Sequence, residues 1–286
     1  VDAADAGPEF ILAVPDCSNS LRDIMEKTPS TSTILLARLA LLLLLLLGWQ
    51  VGSTWAGSEF YVSTPSTIAA SFWSALSSGE LLFHASITTV EAFLGFLIGG
   101  GAGIVVGLVL GSSRLLADIL DPFLTALYSL PKVALAPLFV LWLGIGIEMK
   151  IVLAAATVFF LVFLNTYTGV RSVSREQLTV IRLMGASERQ LMTKLVLPSA
   201  INWVFAGLRL SVPYALIGAI VGEIIASNRG LGYLVSNAAS KFDTPGVFAA
   251  LIAIVALTML LNLAVKTAER MLMPWKQAEE HRETTV

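Results

Sequence analysis

The stretch from Ala85 to Gly111, ASITTVEAFLGFLIGGGAGIVVGLVLG, sets the class of the fold. Its one charge is Glu91, and every other residue is apolar, small or a hydroxyl. A helix needs about 20 mostly apolar residues to cross roughly 30 Å of hydrocarbon at about 1.5 Å per residue. This segment clears that length. Gly95, Gly99, Gly100, Gly101, Gly103 and Gly107 leave the helix with bare faces, so another helix can pack closely against it. On either side, Ile34–Trp55, Pro122–Leu143, Met149–Val170, Ile201–Ala226 and Val247–Val265 meet the same requirement. The pattern predicts an all-α, polytopic membrane protein with six transmembrane helices.

Composition agrees. Hydrophobic residues make up 56% of the 286 residues and charged residues 13%, with a mean hydropathy of +0.81. Soluble domains run near 25% charged, so the main solvent of this chain is lipid. A net charge of −2 offers no basic surface for nucleic acid. The single cysteine, Cys17, cannot form an internal disulfide. His84 and His281 lack metal-ligand spacing, so no metal site is expected.

The polar residues 1–33 read as a cytoplasmic tail, with a short surface helix expected at Ser20–Lys27. The first residue is Val1, so the natural start is expected to differ. Residues 34–270 form one transmembrane domain, and 271–286 a second cytoplasmic tail. Between the first two spans, Pro65 opens a helical pattern with Phe72, Trp73 and Leu76 on one side, expected to lie on the outer face. Trp142, Trp203 and Trp275 read as interface anchors.

Lys and Arg placement predicts orientation. With a cytoplasmic amino terminus, thirteen basic residues fall on inner segments, and Lys150, Arg229 and Lys241 on outer ones. Both termini are therefore expected in the cytoplasm.

The longest inner connection, Arg171–Ser199, is charged yet carries helix signals. Ser174 can cap a first helix with Leu178, Ile181 and Leu183 as its apolar stripe. Gly185 can adopt the left-handed conformation that ends it, and Ser187 can cap a second. Leu191, Leu195 and Val196 would form the buried side of that second helix, and Pro198 is expected to stop it. The result is either a rigid knuckle that docks into another protein or a solvated loop.

The run Gly185-Ala186-Ser187 through Leu195-Val196-Leu197-Pro198 resembles the cytoplasmic "EAA" loop of ABC importer permeases, with glycine, aliphatic residue, leucine and proline in register. Further matches run through Ala206–Arg209, Val221–Glu223, Arg229–Tyr233 and Phe248–Ala250. Upstream, Ser129–Pro131, Ala134–Phe139 and Leu143–Gly146 are similar to the nitrate, sulfonate, taurine and bicarbonate branch. The resemblance covers about residues 60 to 275 and implies a type I importer permease fold in the bacterial inner membrane. It implies a pair of permeases, expected here to be a homodimer surrounded by membrane lipid, with ATPase subunits on the knuckles. A periplasmic or lipid-anchored substrate-binding protein would deliver a small, anionic solute. The chain would bind no cofactor, and ATP with Mg would be used by the ATPase partner. In keeping with this, no glycine in the chain precedes a lysine, so no phosphate-binding loop exists. The coupling residues it implies are Glu176, Thr179, Arg182, Gly185, Ala186, Ser187, Leu195, Leu197 and Pro198. One departure stands out: Thr179, Val180 and Ile181 replace the family's acid and two alanines. Glu176 or Glu188 could take over the acid's contact, or apolar packing and Arg182 could.

Charges inside spans cost roughly 2.5–3.5 kcal/mol on insertion scales and usually face a bundle interior or a water-filled cavity. Four are read within spans, Glu91, Lys132, Arg209 and Glu223, as translocation-path candidates. The alternative is that the two cations pair with the two acids or with backbone carbonyls freed by Pro131, Pro137 and Pro213. An ion-gradient-driven secondary transporter or channel without an ATPase partner is the rival function, with Glu91 and Glu223 as proton carriers. No His, Cys or paired-carboxylate set supports an enzyme.

Overall fold

The computed structural model describes residues 31–55 and 59–272. Most of both tails, the expected surface helix at Ser20–Lys27 and Trp275 lie outside the described residues. Within them the chain is helical, and no strand occurs.

Helix α1 is Thr31–Trp55, starting three residues before the expected span. A short α2, Glu59–Val62, leads into α3, Pro65–Ser77. Pro65 sits in the first turn of α3, where its missing N–H is no loss, and Thr64 caps that turn in a reciprocal pair with Thr67. Helices α4, Glu80–Ser112, and α7, Ile147–Arg171, make the most extensive contact in the molecule, with α10, Leu197–Ala226, second against α7. The glycine face of α4 explains the first contact. A methyl added at Gly103 would stand 2.8 Å from the carbonyl oxygen of Phe159, and one at Gly107 2.6 Å from Thr166 Cβ. Gly100 turns instead toward Leu208 of α10, and Gly101 meets nothing. In lipid, where apolar burial gives little drive, such close approach is how helices associate. The core where the three helices meet consists of Ala92, Val158, Val162, Ala215, Leu216 and Ala219. Helix α11, Leu231–Ser240, and α12, Thr244–Leu272, pack on one another and on α4 and α10.

Among the described residues, five helices are long and apolar enough to cross a membrane, or six if one bent pair counts as a span. That pair is the expected third span, which is not one helix. Helix α5, Arg114–Ser129, ends at Leu130, whose extended ψ of 130° is what a residue before proline requires. A 3-10 turn, Lys132–Leu135, follows, and α6, Ala136–Leu143, leaves at 83° to α5. Pro131 therefore breaks the span, and Pro137 opens α6 at its first turn, so neither merely kinks a helix. Pro213 lies within α10 without interrupting it.

Pro198 also departs from expectation. It does not stop the second knuckle helix, because one helical run extends from Glu188 to Ala226. Between α9, Glu188–Leu191, and α10 the turn widens into a π-helix over Met192–Val196, where the N–H of Leu197 reaches the carbonyl of Met192. Pro198 follows this wider turn in the first turn of α10, where its missing N–H is tolerated.

Candidate functional site

The knuckle is a helix-turn-helix. Helix α8, Arg175–Leu183, is capped by Ser174, whose hydroxyl accepts from Gln177 N at 3.2 Å. It ends in a Schellman turn. Gly185 N donates to Arg182 O at 2.9 Å, Ala186 N donates to Ile181 O at 3.3 Å, and Gly185 holds φ at +84°. Ser187 and Gln190 then close a capping box on α9. Arg182 and Glu188 join the two helices with hydrogen bonds of 3.1 and 3.2 Å. Glu188, expected as a possible contact for an ATPase, is thus engaged within the knuckle. Glu176 and Thr179 also have partners in the fold.

Burial separates the two sides of this unit. Leu178 and Met192 pack on a cluster of Val170, Val196 and Ala200, which ties the knuckle to the ends of α7 and α10. Leu191 is buried and Leu195 half-buried, as their spacing predicts. Leu183, read as part of the apolar stripe with Leu178 and Ile181, instead projects outward at 82% exposure, beside Met184 at 81% and the exposed Val180. Helical phase explains the correction, since Leu183 is two residues from Ile181 and faces the other way. Ala186 is half-buried, and Leu197 and Pro198 are exposed.

Among the four intramembrane charges, the two acids take partners other than Lys132 and Arg209. Lys150, assigned to an outer segment, is buried in α7 and donates to Glu91 Oε1 at 3.1 Å and to Ser227 Oγ at 2.7 Å. Glu91 and Glu223 are each 1% exposed. Glu223 accepts from Thr88 Oγ1 at 2.7 Å and from Gly232 N at 2.6 Å. Thr88 accepts from Leu231 N at 2.9 Å, and His84 Nδ1 from Gly230 N at 2.8 Å. These groups satisfy the free N–H donors that open α11 and fasten the Ser227–Gly230 turn to α4 and α7. Spacing could not have shown it, because all of these partners but Glu223 and Gly232 stand 59 to 146 residues apart.

The two cations take other partners. Arg209 forms an ion pair with Glu269 of α12, an acid beyond the expected sixth span. Lys132 donates to the carbonyl of Tyr128, one of those freed by the break at Pro131, as the carbonyl alternative anticipated. Its ammonium also lies 4.7 Å from the ring centres of both Tyr128 and Phe160.

A bundle of apolar helices with an apolar-tipped helix-turn-helix is the architecture of a multi-pass membrane protein. Comparison with known proteins places it further. Residues 99–276 match the family described as "Binding-protein-dependent transport system inner membrane component". A Bacillus subtilis (strain 168) protein provisionally named an aliphatic sulfonates transport permease is 36% identical over 233 residues, covering 81% of this chain and 84% of its own. The riboflavin transport system permease of Chloroflexus aurantiacus is 37% identical over 236 residues, 82% and 88% of the two chains. The formylaminopyrimidine transport permease of Halalkalibacterium halodurans is 33% identical over 239 residues, 83% and 94%. Among solved structures, an inward-facing MetNI methionine ABC transporter chain shares the fold at a TM-score of 0.58 and 18% identity. It matches over 66% of this chain and 94% of that one. The chain belongs to the binding-protein-dependent transport family and is an ABC importer permease subunit for a small solute.

Proposed function

We propose that this chain pairs with a second copy of itself to form the membrane path of an importer for a small anionic solute. An external binding protein delivers the solute to one side. On the other, an ATPase subunit seats each knuckle, 171–199, and hydrolyses ATP with Mg. The knuckle lies on the cytoplasmic side, with both termini, because that orientation puts thirteen basic residues inside. Closure of the ATPases then drives the spans between inward- and outward-open states.

The observation that carries this reading is the exposed apolar tip Val180, Leu183 and Met184 on a knuckle anchored through Leu178 and Met192. Exposed apolar residues on a firmly held polar unit mark a protein interface. Without the family's acid, the contact rests on this apolar tip. The Arg182–Glu188 bridge keeps α8 and α9 in register. The anionic character rests on Lys132, whose neighbours stabilise its charge without cancelling it, and on the relative named for sulfonates, which are anions.

Purification through a tag on this chain tests the assembly. Two copies of the chain with two of an ATPase are expected, and a different permease or no ATPase would refute it. Gly185→Val tests coupling. Valine resists positive φ at a cost of order 1–3 kcal/mol, so the turn should rearrange and ATP-driven uptake should fall about tenfold or more. Normal uptake and assembly would end the docking role.

A further inference from the structure

We infer that the groove between α5 and α7 is the transit site for solute, and that it takes planar, ring-bearing anions. This rests on the importer reading above and adds the solute class to it.

The groove begins at the broken span. Non-helical backbone at membrane depth is tolerated only where protein buries it or water lines it. Ser129–Leu135 is such a segment, and its residues are exposed or half-exposed over most of its length. Lys132, at its centre, meets no carboxylate among the described residues. Its neighbours are two π-faces and a carbonyl, which stabilise an ammonium but leave its charge uncancelled. A cation in that condition does not belong against lipid. It belongs on an aqueous path, where a passing anion can complete it.

From Lys132 the aromatic contacts continue along α7, with Phe163 buried and the other rings at least partly exposed. Tyr128 and Phe160 stand 6.3 Å apart. Along α7, Phe160, Phe159, Phe163 and Tyr167 follow at 5.1, 5.8 and 5.9 Å. The ladder ends at Arg171, which donates to Tyr167 Oη at 3.1 Å and lies 5.4 Å from its ring centre. From Phe160 to Arg171 is about 16 Å of helix. A second cation, which meets no carboxylate among the described residues, thus closes the far end. Rings in tilted, edge-on and stacked contact with a cation at each end match a ring-bearing molecule that carries an anionic group.

Size decides the mode of binding. The cavity under Thr125, Tyr128, Phe163 and Tyr167 measures about 90 Å³. A cavity that encloses benzene is nearer 150 Å³. A ring therefore lies on this surface rather than inside it. Weak, repeated contact suits passage, because a transit site must release what it receives.

The permease–ATPase complex in lipid nanodiscs gives the test, with benzenesulfonate and ethanesulfonate as probes followed by ligand-observed NMR. The two share a charge and differ in the ring. Benzenesulfonate should bind about tenfold more tightly, since each aromatic or cation–ring contact changes affinity about two- to tenfold. Tyr128→Leu and Phe160→Leu should each erase that preference, and Lys132→Met should weaken both probes, with Lys132→Arg restoring them. Equal affinity for the probes, no binding of either, or a preference that survives the two leucine variants would overturn the inference. Copurification of the ATPase with the unaltered chain scores the importer reading separately.

Discussion

Replacing Lys150 with methionine isolates the polar network at the α11 end of the bundle. The substitution keeps the length of the side chain and removes both of its hydrogen bonds, 3.1 Å to Glu91 and 2.7 Å to Ser227. Glu91, already without a donor at Oε2, would keep none at Oε1. Leaving a buried charge without its partner costs about 3–5 kcal/mol in soluble proteins. Inside a membrane the unfolded helices find other partners, so the lower end, about 3 kcal/mol, is expected. At roughly 2–4 °C per kcal/mol, that is a fall of about 10 °C in the apparent Tm of the purified protein. The double variant Lys150→Met, Glu91→Gln removes the orphaned charge and should recover more than half of the loss. Thermal unfolding of the detergent-solubilised protein, read by the monodisperse fraction on size exclusion, measures both. A single variant as stable as the parent, or a double variant less stable than the single, would refute the network's role.

Two further outcomes are expected. At Gly99 an added Cβ would stand 2.9 Å from backbone atoms of Ala155, which cannot rotate away, whereas Gly101 has open space. Gly99→Leu should therefore cost about 3 kcal/mol by forcing α4 from α7, while Gly101→Leu costs nothing, both measured by the same unfolding assay. Met184→Asp, placed on the exposed tip of the knuckle, should leave the permease's own Tm within about 1 °C, as surface changes do, yet release the ATPase on tag purification. Retention of the ATPase would move the contact elsewhere.

The membrane class, the spans and the two capped helices of the knuckle were determined by the sequence alone, because each rests on a local property. Apolar length answers to bilayer thickness, and Ser174, Gly185 and Ser187 act on backbone groups within five residues of themselves. Two local expectations still failed. Leu183 lies off the face that its helix buries, and Pro198 does not end its own helix; which positions find neighbours is a tertiary matter. The pairing of charges was wholly tertiary. Lys150 looked like a loop residue, yet the folded bundle sets it beside Glu91, while Arg209 meets Glu269 and Lys132 meets two rings and a carbonyl. A buried charge takes whichever partner helix packing brings within about 4 Å, and a chain's linear order does not encode that distance.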